Sequence, residues 1–224
     1  MQPYFLPYIG YWQLINLVDQ FVIYDDVNFI KKGFINRNSI LVNNNSFLFT
    51  LPLIKASQNK KINEIFLNGT NKKLIKTIYE SYKKAPFFDV IFPMIEEIFH
   101  YDDKCISRFI VFSLKRISEY LNIKSNFIFS SSINYNKSYN SQNKLIDICK
   151  VLDTKHYINL SGGVDMYDKE AFGDENIILS FLKTNKYSYE QFKNPFISDL
   201  SIIDVLMFND ISSINKLLNN YKLF

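Results

Sequence analysis

The sequence contains few of the residues that build disulfide frameworks, metal sites and glycine-rich loops. Its 224 residues include two cysteines, two histidines, six glycines and six prolines. Cys105 and Cys149 have no close partner in the sequence and lie in segments patterned like helices, which argues against a disulfide framework or a zinc site. We expect both to be buried apolar residues in a reducing compartment. His100 and His156 lie far apart, with no cysteine or other histidine nearby, so no metal site is predicted.

Long apolar runs and blocks of one charge are also absent. The 26 basic and 22 acidic residues give a net charge of +4, without a run of Lys or Arg typical of a nucleic-acid-binding or membrane-binding tail. The apolar stretches fall short of the ~20 residues that a membrane-spanning helix needs, so no membrane insertion is expected. Pro3 and Pro7 interrupt the first apolar run and no basic leader precedes it, which predicts a cytoplasmic protein without a signal peptide. No Gly-x-Ser-x-Gly motif is present, which disfavours a hydrolase. The mild positive charge suits an anionic small-molecule substrate.

The remaining pattern is typical of one α/β domain over residues 1–224. Compact apolar runs alternate with segments of helical periodicity, which predicts a mainly parallel sheet with flanking helices and a helical C-terminal part from about residue 200. No repeat or Gly/Ser/Pro-rich linker divides the chain. The predicted strands are 21–24, 39–42, 46–51, 127–129 and 156–158, with 39–42 and 46–51 joined as a hairpin through three asparagines. The predicted helices are a short one after Pro7, then 71–82, 88–99, 103–121, one from 141, 200–208 and 211–218.

The N-terminus carries the first candidate site. Its members are Gln2, Pro3, Tyr8, Gly10, Tyr11 and Gln13. The prolines favour an extended loop over residues 1–7, which would deliver Gln2 and Tyr8 to the mouth of a pocket. Gly10 would let a phosphate lie against the start of the next helix, where free amides and the helix dipole favour anions. The alternative is an N-terminal arm whose aromatic rings pack on the core.

The second candidate site follows the strand at 21–24. Its members are Asp25, Asp26, Asn28, Lys31, Lys32, Asn36, Arg37 and Asn38. Ligands of open α/β sheets collect at the carboxyl ends of strands, where the two carboxylates are expected. The carboxylates could hold a cation, and Arg37 could grip an anion bidentately. A solvated loop is an equally good interpretation for the two lysines. The Asn-Arg-Asn triplet would need hydrogen-bond partners if it were buried.

The third candidate site follows the strand at 156–158. Ser161, Gly162 and Gly163 come first, and Asp165, Tyr167 and Asp168 lie just beyond them. A Ser-Gly-Gly turn at the end of a strand exposes backbone amides and could form an anion-binding nest. A plain tight turn is the alternative.

Four stretches of the sequence together resemble the WbqC-like protein family along nearly the whole chain. They are MQPYFLPYIGYWQLINLVDQFVIYDDVNFIKKGFINRNSI, NKLIDIC, HYINLSGGVDMYDKEAF and DLSIIDVLMFND, and the first is the most specific. The resemblance implies a bacterial protein of O-antigen biosynthesis that transfers glycine onto an amino sugar.

Residues 7–11 also resemble, in placement, the His-x-Gly-His signature of adenylate-forming enzymes such as pantothenate synthetase, which implies a HUP or nucleotidyltransferase-like fold. Tyr8 and Tyr11 replace the two histidines of that signature. That fold places a β-strand before the signature, whereas this sequence starts at the loop. Either the true start codon lies upstream or the likeness is superficial.

The resemblances imply a reaction in two steps. An amino acid carboxylate would attack ATP to form an acyl adenylate, and the amine of a nucleotide-linked amino sugar would then displace AMP. Arg37, Lys32 and the amides of Gly162 and Gly163 would offset charge on the phosphate, while Asp25 or Asp26 would hold Mg²⁺ or the incoming amine. Two alternatives stay open: a pre-activated donor such as an acyl carrier or aminoacyl-tRNA, and a non-catalytic sugar-nucleotide-binding scaffold. A homodimer is also left open.

Overall fold

Two of the small sheets in the fold each contain a pair of parallel strands. In the computed structural model, which describes residues 1–69, 71–192 and 195–224, β1 (Gln20–Ile23) pairs with β6 (Asn126–Phe129). β7 (His156–Leu160) pairs with β8 (Ile178–Thr184), and β9 (Tyr221–Leu223) pairs antiparallel with β8. These pairs confirm the predicted α/β class with parallel strands.

Antiparallel pairs accompany the parallel ones. β2 (Arg37–Val42) and β3 (Asn45–Thr50) form the predicted hairpin. The turn residues Asn43 and Asn44 have φ angles of 49° and 63°, in the left-handed region that asparagine tolerates better than most residues. A second, shorter antiparallel pair consists of β4 (Leu53–Ile54) and β5 (Phe66–Leu67).

Helices connect the strands, and most lie where their apolar spacing predicts them. Side-chain caps at Asn140, Ser201 and Asp210 begin three of the helices by accepting hydrogen bonds from backbone amides two or three residues further on. The α-helices are α1 (Ile9–Leu17), α2 (Lys72–Tyr82), α3 (Phe88–His100), α4 (Ile106–Tyr120), α5 (Ser141–Val151), α6 (Lys169–Gly173), α7 (Ile202–Phe208) and α8 (Ile211–Leu218).

Three elements late in the chain have no counterpart among the predicted ones. They are α6, β8 and β9, and β8 is the strand that pairs with both β7 and β9. β8 reads ILSFLKT, a short run in which one serine interrupts the apolar residues; Leu179, Phe181 and Leu182 are buried and Ile178 is exposed. Periodicity alone does not separate such a run from a buried helical segment, which is why the sequence pattern left this strand unassigned.

Buried apolar residues form one large cluster and two small ones. The large cluster contains residues from Phe5 to Leu218, including the fully buried Trp12. A second cluster contains Leu145 and Cys149 of α5. The third contains Ile133 and Tyr135 of the loop after β6 and Ile148 of α5. Helix α5 therefore packs outside the large cluster.

Both cysteines are buried and free, as the sequence predicts. Cys149 lies within α5, and Cys105 is the residue that precedes α4. Within the three described ranges, no helix has both the length and the apolar character needed to cross a bilayer.

Candidate functional site at the carboxyl edge of the sheet

The carboxyl ends of β1 and β7 lie next to each other. Tyr24 directly follows β1, and it packs against the same small apolar cluster as Tyr157 of β7 and Tyr167. Met1 runs alongside β1, and its carbonyl accepts a hydrogen bond from the Tyr24 amide at 2.8 Å. Gln2 therefore leaves at the same edge. This is the edge of a parallel sheet at which ligands usually bind.

Asp25 is held by the loop that follows β6. It is 3% exposed, and its Oδ1 accepts a hydrogen bond from the Ser131 amide at 3.0 Å and lies 3.2 Å from the Ser130 hydroxyl oxygen. Its Oδ2 accepts from the Ser131 hydroxyl at 2.9 Å and the Asn63 side-chain amide at 3.3 Å. Both carboxylate oxygens are thus engaged by donors from the protein, and Asp25 fastens the β6 loop to the end of β1.

Asp26 lies in the same network and faces a cation. Its side chain is 2% exposed and accepts hydrogen bonds from the Ser130 hydroxyl at 2.5 Å and the Tyr135 hydroxyl at 2.9 Å. Lys137 Nζ lies 3.1 Å from its Oδ2. Burial acts to raise the pKa of Asp26, but the hydrogen bonds from Ser130, Tyr135 and Lys137 outweigh it and hold this pKa below its usual value. Asp26 is therefore ionised, and the 49% exposed Lys137 side chain is its partner on the solvent side.

Two tyrosines extend the network from Asp26. Burial and then the charge of Asp26 raise the pKa of Tyr24 to about 12. Burial, followed by the hydrogen bond to Asp26, also raises the pKa of Tyr135. Both hydroxyls therefore stay protonated at neutral pH. Lys137 Nζ lies 5.7 Å from the centre of the Tyr135 ring, within cation–π range.

The Ser-Gly-Gly segment begins a 3-10 helix (Ser161–Met166) directly after β7, at the strand end where the sequence places it. Gly163 is buried, and a Cβ there would lie 3.1 Å from Asn159 Nδ2 and 3.3 Å from Tyr167 Cε2. In the described part of the chain, nothing comes within 4 Å of the corresponding position at Gly162. A side chain at position 163 would therefore need Asn159 and Tyr167 to shift by a few tenths of an ångström, while the backbone of Gly162 borders open space.

These residues together form the carboxyl-edge cluster. Several members are not among the residues singled out from the sequence, because their role depends on the pairing of β6 with β1 and of β7 with β8. The one available signal is the polar run 130–140 directly after the strand at 127–129. The cluster consists of Gln2, Tyr24, Asp25, Asp26, Asn63, Ser130, Ser131, Tyr135, Lys137, Asn159, Ser161, Gly162, Gly163 and Tyr167.

The N-terminal loop packs its side chains inward. Tyr11 is fully buried, donates its hydroxyl to the Gln2 carbonyl at 2.8 Å, and stacks on Tyr4 with 5.4 Å between ring centroids. Pro3 is buried in the same loop. The position of Tyr11 agrees with an N-terminal arm whose aromatic rings pack on the core.

Gly10 is explained by a close approach of protein atoms. A Cβ at this position would lie 2.6 Å from Tyr8 Cε2 and 2.7 Å from Thr184 Oγ1. Thr184 also donates to Gln13 Oε1 at 2.7 Å, so the start of α1 is fixed against the end of β8. The space beside Gly10, predicted to admit a phosphate, is occupied by the Tyr8 ring and the threonine side chain.

Asn36 and Asn38 are buried and bonded to the backbone. Asn36 Nδ2 donates to the Leu51 carbonyl at 2.8 Å. Asn38 Nδ2 donates to the Leu6 carbonyl at 2.6 Å and the Phe5 carbonyl at 3.2 Å. These are the partners that buried amides require. Asn36 therefore ties the residue before β2 to the residue after β3, and Asn38 ties β2 to the N-terminal loop.

Arg37 is the first residue of β2, and Lys32 lies in the turn before it. Arg37 Nε donates to the Gly33 carbonyl at 3.1 Å, and Lys32 is exposed with a φ of 61°. Across the described ranges, no hydrogen bond or ion pair links either residue to the cluster. The structure thus brings Asp25, Asp26 and the Ser-Gly-Gly segment together and leaves the two basic residues beside the hairpin.

The fold and the carboxyl-edge cluster define an α/β protein with polar side chains gathered where parallel strands end. Its sequence matches the WbqC-like protein family over residues 2–216, and the chain belongs to that family, as its N-terminal motif predicts. An uncharacterized protein of Mycobacterium tuberculosis is 27% identical over 214 residues, which cover 92% of this chain and 90% of the relative. No solved structure matches the chain significantly.

Proposed function

We propose that this protein is a transferase that joins a glycyl or related acyl group to the amine of a nucleotide-linked amino sugar in O-antigen or polysaccharide biosynthesis. Membership of the WbqC-like family supports the choice of O-antigen or polysaccharide biosynthesis as the process. The observation that carries the proposal is the gathering of an ionised carboxylate, a solvent-facing lysine and an open glycine backbone at one edge of the sheet. Such an edge suits a substrate that carries both an amine and phosphates.

The proposed reaction uses ATP as a co-substrate. The carboxylate of the amino acid attacks the α-phosphorus of ATP, and pyrophosphate leaves as the acyl adenylate forms. The amine of the sugar then attacks the acyl carbon, AMP leaves, and the amine gives up a proton to complete the amide. Each step moves negative charge on a phosphate, which a fixed cation or a set of backbone amides stabilises.

Lys137 is the residue we assign to the phosphate side of this reaction. Asp26 and the Tyr135 ring fix its position, while half of its side chain faces solvent. The backbone at Gly162, just after the end of β7, would supply amides. The Nε of Arg37 donates to the Gly33 carbonyl, which holds this side chain at the hairpin. Arg37 would therefore contact an anion only if the substrate reached the hairpin.

Asp25 and Asp26 do not fit a resident Mg²⁺. Donors from Ser130, Ser131, Asn63, Tyr135 and Lys137 engage all four of their oxygens. In the described ranges, no group of three or more acidic, cysteine or histidine side chains is placed to hold a metal. We therefore assign neither carboxylate as a metal ligand. Any Mg²⁺ would bind together with the phosphates of ATP. Their proposed role is to hold Lys137 and Tyr135 in position.

The test incubates purified protein with ATP, Mg²⁺, glycine and a panel of nucleotide-activated amino sugars, and measures AMP and new amides by mass spectrometry. Lys137→Ala should lower kcat/KM by at least about tenfold. Lys150→Ala is the matched control, because Lys150 is a half-exposed lysine paired with a single carboxylate, Glu175. It should leave turnover unchanged.

Three outcomes separate the alternatives. Amide formation without AMP release, and only from an acyl carrier or aminoacyl-tRNA, would replace ATP by a pre-activated donor. Binding of sugar nucleotides without any turnover would make the protein a scaffold. Equal activity of the Lys137→Ala and Lys150→Ala variants would mean that the carboxyl-edge cluster takes no part in the reaction.

A further inference from the structure

Acidic residues are absent from one long stretch of an otherwise balanced sequence. The chain holds 26 basic and 22 acidic residues, yet residues 27–63 contain six basic residues and no Asp or Glu. The six are Lys31, Lys32, Arg37, Lys55, Lys60 and Lys61. This stretch therefore carries +6, whereas the whole chain carries +4. A concentration of positive charge of this kind attracts anionic partners.

Two loops within this stretch lie side by side. The Phe29 amide donates to the Lys60 carbonyl at 2.9 Å, and Asn28 forms an antiparallel bridge with Lys61. The exposed lysines of these loops are Lys31, Lys32, Lys60 and Lys61. Within the described ranges, the basic tip, which consists of residues 28–34 and 57–61, therefore presents four lysines that no ion pair engages.

Large apolar side chains flank the lysines of the first loop. Ile30 is 48% exposed and Phe34 is 54% exposed. The Gly33 amide donates to the Ile30 carbonyl at 3.4 Å, so the chain makes a tight turn between the two side chains. Phe29 and Ile35, immediately outside the turn, are buried and anchor it on the core. The turn therefore holds an isoleucine and a phenylalanine in solvent beside two lysines.

The combination of lysines and exposed apolar side chains fits the surface of an anionic bilayer. Lysines near such a surface are attracted to the headgroups, and apolar side chains enter the boundary between headgroups and acyl chains. A nucleic acid offers phosphates and bases on which Phe34 could stack, but Ile30 has no aromatic face for stacking. A lipid surface therefore accounts for both apolar side chains, whereas a nucleic acid accounts for one.

We propose that the basic tip is a peripheral docking surface for membranes that contain anionic phospholipids. Ile30 and Phe34 enter the boundary between headgroups and acyl chains, while the four lysines bind headgroup phosphates. Arg37 adds a further cation beside the turn, because its Nε is bonded to the Gly33 carbonyl. Docking of this kind uses two loops and needs no membrane-spanning segment. The proposal does not depend on the proposed reaction.

Flotation with vesicles tests the contribution of charge. The full chain is mixed with vesicles of phosphatidylcholine, with or without a third of phosphatidylglycerol, and the bound fraction is measured as salt is raised. We expect binding to the anionic vesicles only, and weaker binding at high salt. The double variant Lys31→Glu, Lys32→Glu should bind at least about tenfold more weakly, because each lysine near an anionic surface strengthens binding about fivefold.

The control changes the net charge equally at another place. Lys115 of α4 and Lys124, which lies two residues before β6, are also exposed lysines. The double variant Lys115→Glu, Lys124→Glu should keep most of the binding. Absence of binding by the wild-type chain, or an equal loss in the two double variants, would overturn the proposal.

Fluorescence of Phe34→Trp tests the contribution of the apolar side chains. Trp12 is the one tryptophan of the sequence and is fully buried, so a second tryptophan reports its own surroundings. We expect a blue shift with anionic vesicles and quenching by brominated acyl chains. Val151→Trp is the matched control, because Val151 is 49% exposed at the end of α5. No quenching at position 34, or equal quenching at both positions, would contradict insertion of the turn.

Single-stranded DNA separates a lipid surface from a general polyanion. The double variant Ile30→Ser, Phe34→Ser should weaken binding to anionic vesicles at least about tenfold, because it removes the side chains that leave water. Its folding is checked by circular dichroism. DNA binding as tight as vesicle binding, and unchanged in this variant, would make the basic tip a polyanion site and overturn the assignment to lipid.

Discussion

Replacement of Tyr82 by phenylalanine removes a single oxygen atom from a fully buried hydrogen-bond network. The Tyr82 hydroxyl accepts from the Leu41 amide of β2 at 2.8 Å and donates to Asp204 Oδ2 of α7 at 2.9 Å. Asp204 is also fully buried, and its Oδ1 accepts from Tyr189 at 2.7 Å and Gln191 at 2.6 Å. Tyr82 thus connects α2, the hairpin and α7.

The expected loss of stability follows from the two bonds. A hydrogen bond to a carboxylate contributes about 1.5–3 kcal/mol, and a buried amide left without a partner costs about 1–3 kcal/mol. We therefore expect Tyr82→Phe to lower the free energy of unfolding by about 3–5 kcal/mol. For a chain of this length, such a change corresponds to a Tm decrease of about 10 °C.

The loss should also depend on pH. Burial raises the pKa of Asp204, and the hydrogen bond from Tyr82 is one of those that oppose this increase. Without it, the Asp204 pKa in the folded protein rises further. A folded-state pKa above the unfolded value means that stability is lost as pH rises from about 4 through the folded-state pKa. The difference between wild type and Tyr82→Phe should therefore grow as pH rises over that range.

Urea denaturation followed by circular dichroism measures both effects. Tyr189→Phe serves as the control, because Tyr189 is half-buried and the oxygen it contacts keeps the hydrogen bond from Gln191. It should cost about 1–2 kcal/mol. A Tyr82→Phe loss under about 1 kcal/mol, or one no larger than that of Tyr189→Phe, would refute the reasoning.

Three further predictions concern residues that the sequence pattern singles out. Asp26→Asn should cost about 2 kcal/mol at pH 7, because an amide replaces the acceptor that faces Lys137. The folded-state pKa of Asp26 is lowered, so its carboxylate stabilises the folded protein above the unfolded-state pKa, and this stabilisation disappears as pH falls through the folded-state pKa. In urea titrations, the free energies of unfolding of wild type and variant should therefore converge below about pH 4. Gly163→Ala should lower Tm, since its Cβ would meet atoms at 3.1 and 3.3 Å. Gly162→Ala should leave Tm unchanged or raise it slightly. A lower Tm for Gly162→Ala than for Gly163→Ala would contradict the packing described. Gly10→Ala should destabilise the protein by about 1–3 kcal/mol in the same assay, because its Cβ would lie 2.6 Å and 2.7 Å from neighbouring side chains, and an unchanged free energy would mean that these neighbours move freely.

Local patterns in the sequence were sufficient to predict most of the helices and the β2–β3 hairpin. Their apolar spacing and turn residues act within a few positions along the chain, and so do the caps seen at α5, α7 and α8. The run of four apolar residues before Asp25 likewise placed the two carboxylates at the end of a strand. The N-terminal motif placed the chain in its family.

The partners of those carboxylates could be found only in the tertiary structure. Ser130, Tyr135 and Lys137 are more than a hundred residues from Asp26, and they reach it because β6 pairs with β1. The same holds for the use of Asn38 in fastening the N-terminal loop. Pairing between distant strands depends on how whole elements pack, and no local periodicity records it.

The sequence by itself thus determined the family, the α/β class and the position of the acid pair, because each depends on short-range pattern. The tertiary structure alone decided which side chains surround that pair and why Gly10 is a glycine. It also decided that β1 and β7 face a common groove. These features arise from contacts between segments far apart in the chain, and such contacts exist only once the elements have packed together.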